Sequence, residues 1–382
     1  MTYSYESLIS VTPHNIRTMA STSVTQSYLE NNFVRPTTLL NGGFDFWQRG
    51  TLLTHSELTA FANHSADQWQ LTFPGSQQLT VQRISDFVTS NKRANRALGI
   101  TLSSATSSLT AGTQYGLSQK IEGIYARELL YKPVTFSGKA KTNVGGTYTA
   151  YISWVDTASS NYYYCAVPIV LLGTGSEESF TAVFPPCPTT FTPEKGEAYS
   201  VKVGIILAGV ATSVTGIYLT CPAASETYSH AAQANLFASS SNYINFSQLT
   251  LNPGSQAKAY FLDSYDAQLK LCRRYIERKT LASHLVNLYA NTTSHVGSLT
   301  YETKRSSPSF VFQQTDEAKS SIANSSAVYY VGGSTAFTLN TFAAAGRTTT
   351  SSTGFSFSTT SATPVGTDTG NLNLDVLVIS NM

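Results

Sequence analysis

Charged side chains are scarce in this sequence. Asp, Glu, Lys and Arg make up 12% of the 382 residues, about half the share that is usual for a soluble globular domain. The 24 basic and 22 acidic residues leave a formal net charge of +2, whereas a nucleic-acid-binding protein carries a strong basic excess on one face. We therefore expect no nucleic-acid partner.

Long apolar runs are also missing. No run approaches the roughly eighteen consecutive apolar residues that a membrane-spanning helix needs. The chain starts with MTYSY at residues 1–5, which lacks the basic and apolar regions of a secretory signal. The expectation is a protein that is made in a cytoplasm and does not insert into a membrane.

Cysteine and histidine are few and scattered. The four cysteines are Cys165, Cys187, Cys221 and Cys272; none forms a CxxC pair, and the six histidines are equally dispersed. Metal ligands usually occur as closely spaced pairs, so we expect neither a metal ion nor a cofactor. The thiols are interpreted as small, buried hydrophobic groups.

Recognisable catalytic motifs are absent as well. The sequence has no G-x-S-x-G nucleophile elbow and no phosphate-binding G-x-x-x-x-G-K-[ST] loop. Glycoside hydrolysis needs two carboxylates across a cleft, and no spacing singles out a pair among Asp45, Asp67, Glu122 and Asp156. We expect the protein not to be an enzyme, and a polysaccharide-degrading enzyme is the least favoured hypothesis.

Hydroxyl and aromatic side chains are plentiful instead. The chain contains 49 Ser and 50 Thr, about 26% of all residues, and aromatic residues add 12%. Thr, Tyr and Phe favour strands, Ser favours turns, and the strong helix formers Glu, Lys, Met and Arg are few. This composition predicts an all-β protein.

Residues 41–260 show the pattern of many short strands. Residues 200–207 place Val201, Val203 and Ile205 on one face, and residues 148–154 alternate in the same way. Turn formers such as Asn252-Pro253-Gly254 separate these segments. Short strands at regular spacing predict a jelly-roll β-sandwich over 41–260.

One amphipathic helix is predicted to form a bridge over residues 261–284. Asp263 or Ser264 can cap its start, and Cys272 and Tyr275 are expected to be core residues. Its apolar residues recur at spacings of four, three and four: Tyr265, Leu269, Cys272 and Ile276.

The segment 285–382 is predicted to be a second, smaller β-domain. From Tyr329 to Met382 it carries only three charged residues, Arg347, Asp368 and Asp375. So few charges are unusual for the surface of a soluble monomer. We expect this region to contact other subunits, which predicts a homo-oligomer.

Residues 1–40 form a separate segment. Their isolated aliphatic residues show too little periodicity for an independent core, so the segment is either a disordered terminus or an arm that orders on a partner. The number of aliphatic residues favours the arm. Pro36 and the Asn41-Gly42-Gly43 turn are expected to mark the start of the compact domain.

The aromatic residues around position 160 suggest a binding surface. Sugar rings stack on aromatic faces while their hydroxyls bond to polar side chains. The candidate glycan-contacting residues are Tyr151 and Trp154 on a strand, and Asn161, Tyr162, Tyr163 and Tyr164 in the loop that follows. The alternative is that these tyrosines are core or subunit contacts. Trp47 and Trp69 are assigned to the core.

Several motifs occur in the order found in a known family. The stretch NGGFDFWQRGT at 41–51 is followed by ADQW at 66–69, LSQKIE at 117–122 and VTFSGKAK at 134–141. The segment LKLCRRY at 269–275 comes later. Together these motifs resemble a family of bacteriophage and prophage virion proteins, which includes tail-fibre and carbohydrate-binding tail proteins, over about residues 41–382.

This resemblance implies a jelly-roll sandwich on a virus particle. We therefore expect a fibre or spike subunit, on the tail or the head, that is made in the host cytoplasm and contacts host-surface glycans. Residues 1–40 would attach it to other virion proteins, and the resemblance alone implies a trimer. The alternative is a capsid decoration or connector protein with a purely structural role.

Overall fold

The computed structural model describes 37–60, 62–73, 78–85, 87, 96–106, 108–109, 113–158, 161–190, 192–196, 198–210, 218–222, 229–260, 265–288, 294–300, 309–313, 327–331, 335–339, 354–360 and 370–379. For Ala60, for 220–222 and for the described residues from 280 to 378 it describes the backbone alone. Within these residues no helix is long and apolar enough to cross a membrane. Residues 1–36 of the predicted arm lie outside the described chain.

The first sheet, sheet A, contains six antiparallel strands. Its strand order is β1-β3-β4-β12-β6-β9. The strands are β1 (Leu52–Thr54), β3 (Leu79–Ser85), β4 (Arg96–Leu102), β6 (Val134–Thr142), β9 (Glu178–Phe184) and β12 (Tyr243–Pro253). The late strand β12 lies between β4 and β6, so distant parts of the sequence meet in the middle of the sheet.

The second sheet, sheet B, also contains six antiparallel strands. Its order is β11-β8-β7-β10-β5-β2. The strands are β2 (Trp69–Thr72), β5 (Gln114–Glu122), β7 (Gly146–Val155), β8 (Asn161–Leu171), β10 (Tyr199–Gly209) and β11 (Leu219–Pro222). The two sheets share one apolar core, which confirms the predicted all-β jelly-roll sandwich.

The alternation read from the sequence decides which side chains enter that core. Val201, Val203 and Ile205 of β10 are almost fully buried, as are Ile152 and Trp154 of β7. Each such side chain contributes roughly 1.5–3 kcal/mol by leaving water. Side chains alternate along a strand, so the residues between them lie on the outer face of sheet B.

The sandwich begins earlier than predicted. Thr37 and Thr38, placed in the arm by the sequence, are 4% and 9% exposed. The Thr38 amide donates to the Leu251 carbonyl at 2.9 Å, and the Leu251 amide donates to Thr37 Oγ1 at 3.0 Å. These hydrogen bonds attach residues 37–38 to β12, so the boundary at residue 40 is wrong by at least four residues.

The helices are short: α1 (His55–Ala60), α2 (Gly123–Ala126) and α3 (Tyr265–Arg273), with 3-10 turns at Arg127–Leu129 and Leu236–Ala238. The prediction of a helix over 261–284 is wrong after Arg273. Ile276 begins a strand and is buried there, while Tyr265 is 55% exposed. Pairing with the last strand overrides the helical spacing of the apolar residues.

A third sheet follows α3, as the prediction of a second β-region requires. Its order is β17-β16-β19-β13-β14-β18, and β15 also pairs with β19. The strands are β13 (Ile276–Leu288), β14 (Ser294–Thr300), β15 (Ser309–Gln313), β16 (Ala327–Val331), β17 (Thr335–Leu339), β18 (Gly354–Thr360) and β19 (Gly370–Ile379). The predicted boundary at residue 285 falls inside β13, since this strand pairs with β19 from Ile276 to Val286.

Candidate functional site

The predicted glycan residues lie on two adjacent strands and not in a loop. Tyr162, Tyr163 and Tyr164 belong to β8 and pair with Val155, Trp154 and Ser153 of β7. Because side chains alternate along a strand, neighbouring tyrosines of this run project from opposite faces of sheet B. The loop prediction for 161–164 is therefore wrong, and the six candidates do not share one surface.

Trp154 lies on the inner face of the sheet, and Tyr163 packs against the same core. Trp154 is fully buried, its indole Nε1 donates to Tyr218 Oη at 3.2 Å, and Tyr218 donates to the Pro185 carbonyl at 3.2 Å. Tyr163 is partly buried against the core. In this structure Trp154 has no face for a sugar ring, because the core covers it.

The outer face of sheet B gathers the other tyrosines. The rings of Tyr151 and Tyr164 are stacked, with centroids 5.3 Å apart and planes inclined by 17°. Tyr162 stacks on Tyr199 of β10 at 6.4 Å and 25°. Tyr151 and Tyr164 are 3% and 1% exposed, whereas Tyr162 and Tyr199 are half-buried. The buried pair of Tyr151 and Tyr164 forms the floor of this face, and the pair of Tyr162 and Tyr199 is the part that reaches solvent.

Tyr199 is the residue that the sequence pattern misses. It lies two positions before Val201, so simple alternation would put it in the core. The ladder between β10 and β5 shifts register between Tyr199 and Val201, which is the signature of a β-bulge. The bulge turns Tyr199 to the outer face, where its ring meets Tyr162.

Two lysines complete this face. Lys120 Nζ lies over the Tyr199 ring at 5.0 Å from the centroid, and Lys202 Nζ lies over the Tyr151 ring at 5.7 Å. Both distances are within the range of a cation–π interaction. Both lysines are half-buried. We call the six residues Lys120, Tyr151, Tyr162, Tyr164, Tyr199 and Lys202 the tyrosine face.

Gly204 lies directly against the Tyr151 ring of the tyrosine face. A Cβ at this position would lie 2.4 Å from the Leu117 carbonyl oxygen and 2.9 Å from Tyr151 Cε1. Glycine therefore lets the Tyr151 ring lie close to the β10 backbone, where Lys202 can cover it. Asn161, the remaining candidate, is half-buried at the start of β8, next to Tyr162.

The four carboxylates considered for catalysis each have a structural partner. Asp45 lies 3.6 Å from Arg96 Nη1, and Asp156 Oδ1 accepts from the amides of Ala158 and Thr192. Glu122 lies 3.5 Å from Arg274 Nη2. In the described part of the chain, no three His, Cys, Asp or Glu residues are grouped so that they could hold a metal ion.

Asp67 belongs to a buried network around the NGGFDFWQRG motif. Gln48 donates to it twice, from the amide to Oδ1 at 2.9 Å and from Nε2 to Oδ2 at 2.8 Å. Burial raises the pKa of Asp67, and the nearby Arg49 guanidinium and the Gln48 bonds oppose that rise. Burial also lowers the pKa of Arg49 to about 10. Asp67 and Arg49 are buried and Gln48 is half-buried, so the network belongs to the interior of the fold.

The predicted core residues all lie in the interior. Trp47, Trp69, Cys272 and Tyr275 are 7%, 0%, 0% and 5% exposed. Trp69 Nε1 donates to the Asn41 carbonyl at 3.1 Å, so the ADQW segment is attached directly to the NGGFDFWQRG motif. The NGGFDFWQRG and ADQW motifs therefore meet in space at this network.

The buried thiols give a testable prediction. Cys165, Cys187 and Cys272 are free and buried, and burial raises the pKa of Cys165 to about 12. Because the thiolate is the nucleophile, we expect these three residues to resist iodoacetamide at pH 8 in the folded protein and to react fully in denaturant. Peptide mass spectrometry measures this, and rapid labelling of Cys165 without denaturant would contradict the structure. The Cys221 side chain lies outside the described residues.

Among known proteins, the chain is similar to solved structures alone. No protein-family model matches the chain, and no curated protein matches it. Among solved structures, the tailspike protein 4 enzymatically active domain of bacteriophage CBA120 has a TM-score of 0.30 and 11% identity. The match covers 57% of this chain and 21% of that one, so this chain spans about a fifth of that domain's length.

Two carbohydrate-binding modules are similar to the same degree. The family 11 module from Clostridium thermocellum, in complex with a mixed-linked tetrasaccharide, has a TM-score of 0.27 and 7% identity, over 50% of this chain and 91% of that one. The xylan-binding domain of Paenibacillus barcinonensis Xyn10C has a TM-score of 0.27 and 13% identity, over 49% and 91%. These values are low, and the strand order of this chain itself establishes its jelly-roll fold.

Proposed function

We propose that this protein is a non-enzymatic bacteriophage virion protein, a fibre or spike subunit that binds host-surface glycans through the tyrosine face. The observation that carries the proposal is the pair of half-buried rings of Tyr162 and Tyr199, which stack on each other, with Tyr162 packed against the buried Tyr151 and Tyr164. The co-linear motifs of residues 41–275 support the virion assignment.

The tyrosine face has the chemistry that sugar recognition needs. Ring faces offer apolar area to the C–H faces of a pyranose, while phenol hydroxyls and lysine ammonium groups bond to its hydroxyls. The rings are also held in place before any ligand arrives, because each one stacks on another or lies under a lysine. Such preorganisation reduces the entropy cost of binding.

We predict that replacing Tyr162 and Tyr199 together by Ala lowers glycan affinity at least tenfold. Two lost ring contacts remove about 1.4 kcal/mol or more of binding free energy. The measurement is a glycan array followed by calorimetry with the ligand that it identifies. The control is Tyr131→Ala, since Tyr131 is 45% exposed and lies outside the tyrosine face.

The outcomes of this experiment separate the candidate functions. Equal affinity of the double variant and the wild type would remove the tyrosine face from the proposal. A wild-type protein that binds no glycan, but lies on the virion, would favour a purely structural decoration or connector role. Immunogold microscopy of purified particles tests the virion assignment itself, and light scattering tests the expected homotrimer.

A further inference from the structure

We propose that the tyrosine face selects acidic glycans, and that Lys120 and Lys202 bind the anionic oxygens of the sugar. This inference rests on the proposed glycan-binding function and adds the class of ligand. The ligand chemistry is an oligosaccharide with carboxylate or sulfate groups, and the experiment below distinguishes these two sources of negative charge.

The first argument is the register of the two lysines. Lys202 of β10 is the direct cross-strand partner of Lys120 of β5, and such partners have Cβ atoms about 4.5–5.5 Å apart. Two like charges directly opposite each other oppose strand pairing. An anion above the pair would be attracted by both ammonium groups at once. The same arrangement that destabilises the strand pair therefore favours binding of an anion.

The second argument is the position of the charges relative to the rings. Each ammonium group lies over a tyrosine ring, Lys120 over Tyr199 and Lys202 over Tyr151. The ring that reaches solvent beside them is Tyr162, stacked on Tyr199. A sugar ring on the solvent side of Tyr162 would therefore lie beside the ring that Lys120 covers.

The third argument is the partial burial of the two lysines. Lys120 and Lys202 make further contacts within the folded chain, so the inference depends on where the two charges lie. Both lysines are half-buried, and partial desolvation strengthens a charge-assisted hydrogen bond to an anion.

The experiment compares acidic oligosaccharides with their neutral counterparts. The probes are hexuronate oligosaccharides, the same oligosaccharides after chemical reduction of their carboxyl groups, and sulfated oligosaccharides. We expect wild-type protein to bind an acidic probe at least tenfold more tightly than the reduced one, and this preference should shrink as salt is raised. Preference for the hexuronate or for the sulfated series identifies the source of the charge.

Variants assign the preference to the lysine pair. Lys120→Gln with Lys202→Gln should abolish the acidic preference, so that the acidic and the reduced probe bind with affinities within about twofold of each other. The control is Lys141→Gln, because Lys141 is a half-buried strand lysine of sheet A. It should leave the preference unchanged.

The possible failures are distinguishable. Equal binding of acidic and reduced probes by the wild type overturns the acidic-glycan inference alone, and glycan binding through the tyrosines stands. A lysine double variant that keeps the acidic preference also overturns it. An at least tenfold loss of affinity for every probe in the Tyr162→Ala, Tyr199→Ala variant is expected under both proposals. No binding of any glycan by the wild type overturns both.

Discussion

Replacing Gly42 by Ala should lower the melting temperature by about 6–12 °C. A Cβ at position 42 would lie 2.1 Å from the Leu249 carbonyl oxygen, and the Leu249 amide donates to the Gly42 carbonyl at 2.9 Å. Both backbones are buried, so neither can move without breaking this bond. A backbone clash of this kind costs about 3 kcal/mol, and each kcal/mol lowers the melting temperature of a domain this size by about 2–4 °C.

The reason lies in β12, against which Gly42 packs. The ladder between β12 and β6 shifts register between Ser247 and Thr250, and Gln248 has a left-handed backbone with φ 54°. The turn of the NGGFDFWQRG motif lies against this bulge. Gly42 is therefore required by a close approach of two backbones, which explains a glycine at this point of the motif.

Gly196→Ala is the matched control for Gly42→Ala. A Cβ there would meet only Glu194 Oε1, at 2.9 Å, and this flexible side chain can rotate away. We expect a change below about 1 kcal/mol. Differential scanning calorimetry measures both variants, and a Gly42→Ala protein that melts within 2 °C of the wild type would show that the motif turn can shift freely.

The fold was largely predictable because strand alternation is a local signal. Val201, Val203 and Ile205 were assigned to one face from the sequence, and they line the core. The same alternation predicts that the glycan candidates lie on both faces of the sheet. Trp154 belongs to the alternating stripe of Ile152, so it faces inward, whereas Tyr151 faces outward. A set that mixes both residues cannot form one surface.

The errors came from non-local interactions. The bulge before Val201 decides that Tyr199 faces outward, and it arises from the pairing of β10 with β5, which no local pattern encodes. Ile276 has helical spacing from Cys272, yet it pairs with Ile379 across β13 and β19. The run 161–164 was assigned to a loop, although it pairs with β7 over its whole length.

Gln48 connects the sandwich to the third sheet through its side-chain amide. Its Nε2 donates to the Ile276 carbonyl at 2.6 Å, and its Oε1 accepts from the Arg278 amide at 2.9 Å. The side chain thus bonds the β13 backbone in the way that a neighbouring strand would. Asp67 accepts from the same Nε2, which determines the orientation of the amide.

This geometry predicts that Gln48→Glu is more destabilising than Gln48→Ala. Alanine removes three side-chain hydrogen bonds, at a cost of about 2–3 kcal/mol. Glutamate also removes the donor to Ile276 and places a second carboxylate beside Asp67, where burial already raises the pKa. An uncompensated charge in such a site costs about 3–5 kcal/mol. Denaturant unfolding at pH 8 measures the free energy of unfolding of the two variants, and we expect the lower value for Gln48→Glu.

The penalty of Gln48→Glu should shrink as the pH falls from 8 to 5. The carboxylate pair binds a proton more readily in the folded chain than in the unfolded chain, because repulsion and burial raise its folded pKa. Protonation therefore favours the folded state, and stability falls as the pH rises through the raised pKa. Gln48→Ala has no new acid, so its penalty should stay constant by comparison.

Gln70→Glu is the control, since Gln70 Nε2 makes a single exposed bond to the Ala62 carbonyl at 3.1 Å. A Gln48→Glu penalty that does not change with pH would mean that residue 48 does not interact electrostatically with the Asp67 carboxylate. The contribution of Gln48 to stability would then come from its hydrogen bonds to Ile276 and Arg278 alone.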